Sequence, residues 1–188
     1  MISSESNTGL TILPDFNMII NEVNKLKLSL RNRTADHVAV YFHNTNQEIF
    51  RSVLPQKAKT VEEAIADYEK TLLPSSTSYG RTIYVDDHYI GDVWCYCIDY
   101  DDTPNAMISY CIFQTEYWNQ GIATEAVKLF VVEFTEKFQL DTIGAFTFAD
   151  NFPSIRVLEK CGFHRMEEIT ENGRLSYYFE LNTKKRGE

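Results

Sequence analysis

The chain has 188 residues, of which 44% are hydrophobic and 13% aromatic, which supports one domain with a real core and excludes intrinsic disorder. Its net charge of −9 argues against a nucleic-acid partner and favours a cationic one. No apolar run approaches the roughly 18 residues of a membrane span, and the N-terminus lacks the pattern of a secretory signal. We therefore expect a cytoplasmic protein that does not contact membranes.

The first third of the chain predicts an extension, one strand and two helices. Residues 1–25 stand outside the predicted domain, with a short helix favoured over residues 14–25. The alternating leucines of "LKLSLRN", residues 26–32, are typical of a strand. Helices are predicted over "ADHVAVYFHNT" and "TVEEAIADYEKTLL", and a capping box of Thr60 and Glu63 opens the second.

The rest of the chain alternates strands with two further helices. Two β-runs flank the turn Asp86-Asp87-His88, and the strand "AMISYCIF" follows them. Helical spacing begins near Thr124, and "TIGAFTF" then predicts another strand. A helix starts at Asn151 and stops at Gly162, and the turn Asn172-Gly173 joins the last two β-runs as a hairpin.

The order β-α-α-β-β-β-α-β-α-β-β predicts an α+β fold with a mixed, mostly antiparallel central sheet and helices on both faces. The domain spans residues 26–182, and residues 183–188 form a tail. Because a helix connects strand 106–113 to strand 142–148, these two strands should pair in parallel.

The four cysteines are Cys95, Cys97, Cys111 and Cys161, and their spacing fits neither a zinc site nor a disulfide scaffold. We interpret them as reduced thiols and predict no metal centre. Cys95 and Cys97 lie two apart on a predicted strand, so simple alternation places both on one packed face.

The stretch "EYWNQGIATEAVKLF", residues 116–130, enters a predicted helix through a turn of small residues. Gly121 and Ala123 leave room for a ligand beside the backbone. The first N–H groups of a helix lack intrahelical partners and, with the helix dipole, attract anions. The alternative is an ordinary entry from a loop into a helix.

A second motif, "NFPSIRVLEKCGF", residues 151–163, follows after one helix and one strand. Together the two motifs resemble the GNAT superfamily of acyl-CoA-dependent N-acyltransferases, whose pyrophosphate loop reads Q/R-x-x-G-x-G/A. The "YW" before the turn, the "ATEA" after it and Ser154 resemble the RimJ/RimL-like branch. One departure is Trp118, where the broader family has Gln or Arg. The residues that fit the second motif are Asn151, Ser154, Val157, Glu159, Lys160, Gly162 and Phe163.

The resemblance implies that acetyl-CoA is the co-substrate. Its pyrophosphate would lie on backbone amides of the turn, and its pantetheine arm along the free edge of strand 106–113, where the parallel pair splays apart. Arg156 or Lys160 could reach the nucleotide phosphates, although both could equally be solvated helix residues. The implied cofactor-binding residues are Ile112, Phe113, Trp118, Asn119, Gln120, Gly121, Ile122, Ala123, Thr124, Asn151 and Ser154.

The implied acid that protonates the departing thiolate is Ser154, whose alternative role is to cap its helix. Tyr110 is a second candidate donor, and Leu158 stands where many family members carry the acidic Tyr. The implied base is Glu168, with Glu116 as an alternative and with water as a possible relay.

The tetrahedral oxyanion is expected to bind a backbone N–H near Phe113. The acceptor pocket is expected from residues 34–60 and from the loop 73–80.

The predicted function is acetyl transfer from acetyl-CoA to a primary amine, either a protein N-terminus or a small amine such as a polyamine, amino acid or antibiotic. The alternatives are a catalytically idle acyl-CoA-binding or regulatory module, and an interaction domain that binds no cofactor. Both a monomer and a homodimer are compatible with the sequence.

Overall fold

The computed structural model describes residues 11–12, 18–23, 26–51, 58–171 and 173–184. Within these ranges one sheet has the strand order β1-β2-β3-β4-β5-β6-β7-β9-β8. Its strands are β1 (Thr11–Ile12), β2 (Met18–Val23), β3 (Leu26–Arg31), β4 (Tyr79–Val85), β5 (His88–Asp99), β6 (Asn105–Ile112), β7 (Thr142–Phe148), β8 (His164–Glu171) and β9 (Arg174–Asn182). The helices are α1 (Ala35–Thr45), α2 (Glu48–Arg51), α3 (Val61–Lys70), α4 (Ile122–Phe138) and α5 (Phe152–Lys160).

The predicted α+β architecture is confirmed. Every described pair of neighbouring strands is antiparallel except β6 and β7, which are parallel as the helical crossover requires. No helix in the described ranges is long and apolar enough to cross a membrane.

The helix predicted over residues 14–25 is wrong for its described part. Residues 18–23 form β2, which pairs antiparallel with β3 from Met18 opposite Arg31 to Val23 opposite Leu26. This pairing satisfies the backbone groups along the outer edge of β3, which would otherwise lie unpaired. This strand could not be predicted, because the periodicity of a short apolar segment does not distinguish a helix from a strand.

The predicted N-cap of α3 is observed at Thr60. Thr60 Oγ1 accepts a hydrogen bond of 3.2 Å from Glu63 N at the start of α3. The Glu63 carboxylate accepts from Lys59 N at 2.7 Å, one residue before the cap that a capping box would use. The predicted box is therefore formed in one half and shifted in the other.

The sheet separates two apolar clusters. The larger contains α4 and α5 residues such as Phe130, Phe134 and Leu158 packed against the strands. A smaller cluster contains Phe50, Cys111 and Phe113. Cys111 and Phe113 flank Ile112 of the larger cluster, so successive side chains at the end of β6 point to opposite faces of the sheet. Helices α4 and α5 therefore cover one face of the sheet at β6, and α1 and α2 cover the other.

The prediction that Cys95 and Cys97 share a face is wrong. A β-bulge interrupts the pairing of β5 with β6 between Tyr96 and Asp99, and Cys97 has φ = 52°. Cys95 is fully buried, whereas Cys97 is exposed. The extra bulge residue shifts the alternation of side chains.

The parallel pair opens soon after it starts. β6 and β7 pair only through Asn105, Ala106 and Met107, opposite residues 142–144. β7 stays paired with β9 along its whole length. The C-terminal halves of β6 and β7 therefore diverge, and a gap opens in the middle of the sheet.

Candidate active site

A cleft of about 1570 Å³ lies at this gap and extends across β5 to α1 and α3. On the α4 and α5 side it is lined by Gly121, Ile122, Ala123, Thr124, Asn151, Ser154, Arg156 and Lys160. On the α1 and α3 side it is lined by Arg33, Tyr41, Phe50, Asp67, Tyr68 and Trp94. The cleft therefore connects the two faces of the sheet through the opening between β6 and β7.

The N-terminus of α4 presents unpaired backbone amides to the cleft. The helix begins at Ile122, two residues earlier than predicted, and its N-cap Gly121 has φ = 81°. No side chain caps this end, and the first intrahelical bond runs from Glu125 N to Gly121 O at 3.1 Å. A Cβ added to Gly121 would meet no atom within 4 Å. The result is an open, positively polarised helix end suited to an anion.

The side chain of Trp118 fastens the turn to the end of β6. Its Nε1 donates a 2.8 Å hydrogen bond to Ile112 O, and its ring lies edge-on to Phe50 with centroids 6.1 Å apart. Where the resemblance places Gln or Arg in the broader family, this chain has a Trp118 indole that contacts Ile112 and Phe50 of the same protein. Gln120 Nε2 likewise donates to Glu116 O at 2.6 Å, within the loop.

The register of β6 decides which backbone groups face the gap. Phe113 N donates to Ile90 O at 2.9 Å, so this N–H belongs to the sheet. The backbone N–H expected to bind the oxyanion is therefore not that of Phe113, and the neighbouring N–H of Ile112 is the candidate instead. Antiparallel pairs alternate between hydrogen-bonded and non-bonded positions, so Ile112, opposite Gly91, directs its N–H and C=O away from β5. Tyr110, opposite Val93, does the same.

Ser154 and Tyr110 contact each other across the gap. Tyr110 Oη lies 2.8 Å from Ser154 Oγ and donates to Ser154 O at 3.1 Å. Burial raises the pKa of Tyr110 well above its usual value, so the phenol keeps its proton. Asn151 Oδ1 caps α5 by accepting from Ser154 N at 3.3 Å. Asn151 therefore supplies the cap, and the Ser154 hydroxyl has Tyr110 as its partner.

Thr147 is a buried hydroxyl that the sequence did not single out. It lies on β7 at the gap and is 7% exposed, and its Oγ1 has no hydrogen-bond partner among the described residues. A buried hydroxyl without a partner is costly. Its position on the wall of the cleft is where a ligand amide or carbonyl would satisfy it.

An ion pair lies on the α1 and α3 side of the cleft. Arg33 Nη2 lies 2.8 Å from Asp92 Oδ2, with 25% of the Arg33 side chain exposed and 1% of that of Asp92. Tyr89 Oη donates to Asp92 Oδ1 at 2.9 Å. Burial raises the pKa of Asp92 to about 6, although Arg33 and the Tyr89 hydrogen bond oppose this shift.

Cys111 also lines the cleft, and its thiol is not activated. Burial raises its pKa to about 12, with a smaller contribution from the nearby Asp92 charge. A thiol with this pKa is protonated at neutral pH and is a poor nucleophile. The structure therefore supports a packing role for Cys111, which lies in the small apolar cluster against the Tyr41 ring.

The two predicted carboxylate bases lie apart from Ser154. Glu168 is on β8, an edge strand with every position exposed, and its Oε1 lies 3.5 Å from Arg165 Nη1. It does not line the cleft, because β8 is separated from the gap by β9. Glu116 is exposed in the short 3₁₀ turn before α4 and also lies outside the cleft lining. Asp67 is the carboxylate residue of the described chain that lines the cleft.

The sequence predicted one side of this site better than the other. The structure brings the turn, the end of β6, Asn151, Ser154 and Tyr110 together, as expected. The α1 and α3 side of the cleft includes residues from segments 34–60 and 73–80, where an acceptor pocket was expected. It also includes Arg33, Trp94 and α3 residues, which no local motif marked.

A mixed sheet with a splayed parallel pair, an open helix N-terminus beside it and a through-going cleft are the features that the resemblance to acyl-CoA-dependent acyltransferases implies. The chain belongs to the GNAT acetyltransferase domain family, whose family model matches residues 27–164. It is an acetyl-CoA-dependent N-acetyltransferase, as the motifs predicted.

Individual relatives agree with this assignment. The chain is 30% identical over 137 residues to the probable N-acetyltransferase YjcK of Bacillus subtilis (strain 168), covering 71% of this chain and 75% of that protein. Among solved structures, Mycobacterium smegmatis RimJ in complex with CoA-disulfide has a TM-score of 0.74 at 18% identity, over 88% of this chain and 87% of RimJ. The aminoglycoside acetyltransferase AAC(6')-Ib in complex with coenzyme A has a TM-score of 0.70 at 17% identity, over 83% and 95% of the two chains. The predicted GNAT membership is confirmed, and the fold is similar to that of RimJ, as the predicted resemblance to the RimJ/RimL branch implies.

Proposed function

We propose that this protein transfers the acetyl group of acetyl-CoA to a primary amine by direct attack of the amine on the thioester. The observation that carries the proposal is one continuous cleft, which joins the open α4 N-terminus, the Ser154 hydroxyl and an aromatic pocket. A cofactor bound on the α4 side and an amine entering from the α1 side would meet at the gap between β6 and β7.

The residues at the gap fit acetyl-CoA. The free amides from Gly121 to Thr124 would bind the pyrophosphate without a basic side chain, which suits a protein of net charge −9. The outward-facing N–H and C=O of Tyr110 would pair with the amides of the pantetheine arm. The unpartnered Thr147 hydroxyl and the Asn151 amide group line the same path.

Ile112 N–H is the donor best placed for the oxyanion. As the amine nitrogen bonds to the thioester carbon, negative charge develops on the carbonyl oxygen, and a fixed N–H beside it lowers the barrier. Ile112 O, which belongs to the following peptide unit, accepts a hydrogen bond from Trp118 Nε1, and this contact restrains the Ile112 backbone at the end of β6. Trp118 thus acts as a positioning residue for Ile112.

Ser154 would protonate the departing thiolate when the tetrahedral intermediate collapses and the C–S bond breaks. Tyr110 has one hydroxyl proton, which it can donate either to the Ser154 carbonyl at 3.1 Å or to Ser154 Oγ at 2.8 Å. When it donates to the carbonyl, Ser154 Oγ donates its own proton to Tyr110 Oη. Tyr110 would then position Ser154 and restore its proton. The Ser154 hydroxyl is not needed to cap α5, because Asn151 Oδ1 caps this helix.

Removal of the amine proton does not depend on one carboxylate in this proposal. Asp67 lies at the outer part of the cleft with a 58% exposed side chain, and Glu168 lies outside it. We infer that water in the open cleft carries the proton to bulk solvent. Substituting Glu168 should then leave kcat unchanged.

The decisive experiment measures thiol release from acetyl-CoA across a panel of peptides, amino acids, polyamines and aminoglycosides. The proposal requires turnover with at least one class and loss of turnover in Ser154→Ala. A protein that binds CoA with micromolar affinity but transfers no acetyl group to any acceptor would instead be an idle acyl-CoA-binding module. The similar folds of RimL, a ribosomal L7/L12 alpha-N-protein acetyltransferase, and of the aminoglycoside acetyltransferase AAC(6')-Ib motivate the peptide and antibiotic arms of the panel.

A further inference from the structure

The two residues of the Arg33–Asp92 ion pair differ in their exposure to the cleft. Arg33 lines the cleft, whereas Asp92 is 1% exposed and lies behind it. The Arg33 guanidinium packs over two aromatic rings, with its Cζ 5.2 Å from the centroid of Tyr41 and 5.9 Å from that of Tyr68. A buried carboxylate and two rings therefore hold the guanidinium in one place at the cleft surface.

Arg33 retains donors that the described protein does not use. A guanidinium carries five N–H donors in a rigid fork. Its Nη2 lies 2.8 Å from Asp92 Oδ2, and its Nε is buried away from the cleft with no hydrogen-bond partner among the described residues. The 25% of the side chain that is exposed on the cleft wall presents the remaining terminal donors to a ligand. A fixed guanidinium with unused donors at a cleft wall is suited to an oxygen of a bound molecule, and best to a carboxylate or carbonyl.

The charges around Arg33 disfavour a polycation. Arg33 and Asp67 are the charged residues that line the α1 and α3 side within the described chain. Asp67 already contacts Lys70 at 2.6 Å, and Asp92 is committed to Arg33. A buried ammonium group needs a carboxylate or several acceptors to offset its desolvation. This side of the cleft therefore leaves no uncommitted carboxylate, within the described residues, for a second or third ammonium.

We propose that Arg33, held by Asp92, binds a carboxylate or carbonyl oxygen next to the amine of the acceptor and so selects acceptors by that group. This inference rests on the proposed acetyl transfer and names the acceptor chemistry: an amine that also carries an adjacent carbonyl oxygen. A free amino acid and a peptide N-terminus share this chemistry. Asp92 acts through Arg33 as a positioning residue.

The test compares acceptors that differ only in the oxygen. Phenylalanine, phenylalaninamide, a short peptide with N-terminal phenylalanine, phenethylamine and spermidine are assayed with saturating acetyl-CoA. In the wild-type protein, kcat/KM for at least one oxygen-bearing acceptor should exceed that for phenethylamine by about 10- to 100-fold, the range of a hydrogen bond to a charged group. The amide and peptide arms separate recognition of a carbonyl from recognition of a free carboxylate.

Arg33→Gln should reduce that preference to near unity through a higher KM for the oxygen-bearing acceptor, with the KM for acetyl-CoA unchanged. Because this change leaves Asp92 buried and unpaired, the double variant Arg33→Gln, Asp92→Asn is tested beside it. The matched control is Arg31→Gln, which removes a partly exposed arginine on β3 that pairs with Asp87 and does not line the cleft. The control should keep the wild-type preference.

Two results would overturn the inference: phenethylamine used as well as phenylalanine and its derivatives, or an equal loss for every acceptor in the Arg33 variants. Calorimetry on the CoA-saturated protein separates this inference from the proposed function. Binding of phenylalanine or its peptide that depends on Arg33, without turnover, would refute acetyl transfer and support the oxygen site. Turnover that does not depend on Arg33 would support acetyl transfer and refute the oxygen site at Arg33.

Discussion

Substituting Gly121 by Asn tests the anion site at the start of α4. Gly121 has φ = 81°, a conformation that strains most side chains, but Asn adopts it more readily than other residues. A Cβ at this position meets no atom within 4 Å, so the protein itself has room for the new side chain. The added group should occupy the space that we assign to the pyrophosphate.

The expected effects on stability and on binding differ in size. The free energy of unfolding should change by about 1 kcal/mol or less, because the backbone conformation is kept and nothing clashes. Displacing the pyrophosphate from even one helix-end amide removes a hydrogen bond to a charged group, worth about 1.5–3 kcal/mol. The Kd for CoA should therefore rise about 10- to 100-fold.

The chain supplies a matched control in Gly173. It has φ = 75°, a Cβ there also meets nothing within 4 Å, and it lies in the β8–β9 hairpin away from the cleft. Calorimetric titration with CoA and urea unfolding are measured for Gly121→Asn and Gly173→Asn. Both variants should unfold like the wild type, and only Gly121→Asn should bind CoA weakly. Equal CoA affinity in the two variants would refute the assignment of this turn.

Three further predictions follow from buried or paired side chains. Ser154→Ala should lower kcat about 100-fold with CoA affinity unchanged, the scale of a lost general acid, as measured by thiol release. Glu133→Gln should lower the free energy of unfolding by about 3–5 kcal/mol in urea, because it leaves the buried Arg81 without its charged partner. Burial raises the pKa of Asp92 to about 6 from 3.8, so the folded chain holds this proton where the unfolded chain has released it. Its contribution to stability should therefore fall by about 2–3 kcal/mol as pH rises from 4 to 7, and the difference between wild type and Asp92→Asn should show this slope.

Each of these predictions has a control or an opposing result. A kcat for Ser154→Ala within threefold of wild type would show that water protonates the thiolate. Glu136→Gln changes an exposed residue of the same helix and should leave stability nearly unchanged. A stability difference between wild type and Asp92→Asn that is constant from pH 4 to pH 7 would mean that this carboxyl group stays ionised in the folded state.

The sequence determined the elements whose signals are local. The Asp86-Asp87 turn, the Asn151 cap and the small residues at Gly121 fix backbone conformation within a few positions, and each lies where it was expected. The order of helices and strands then required a parallel pair at the crossover. For the same reason, the open amides at the start of α4, which we propose as the pyrophosphate site, could be predicted, because they belong to one continuous turn.

Tertiary structure decided what depends on partners far apart in the chain. Arg33 meets Asp92 across 59 positions and Tyr110 meets Ser154 across 44, and no spacing rule connects such pairs. The pairing of β2 with β3 and the placing of Glu168 on an edge strand were likewise set by strand order. Helix signals repeat every three or four residues and can be found in a window of sequence, whereas strand pairing joins segments that the sequence keeps apart. The turn that we propose as the anion site was therefore determined by local sequence, whereas the pocket that we propose for the acceptor exists only once the sheet has formed.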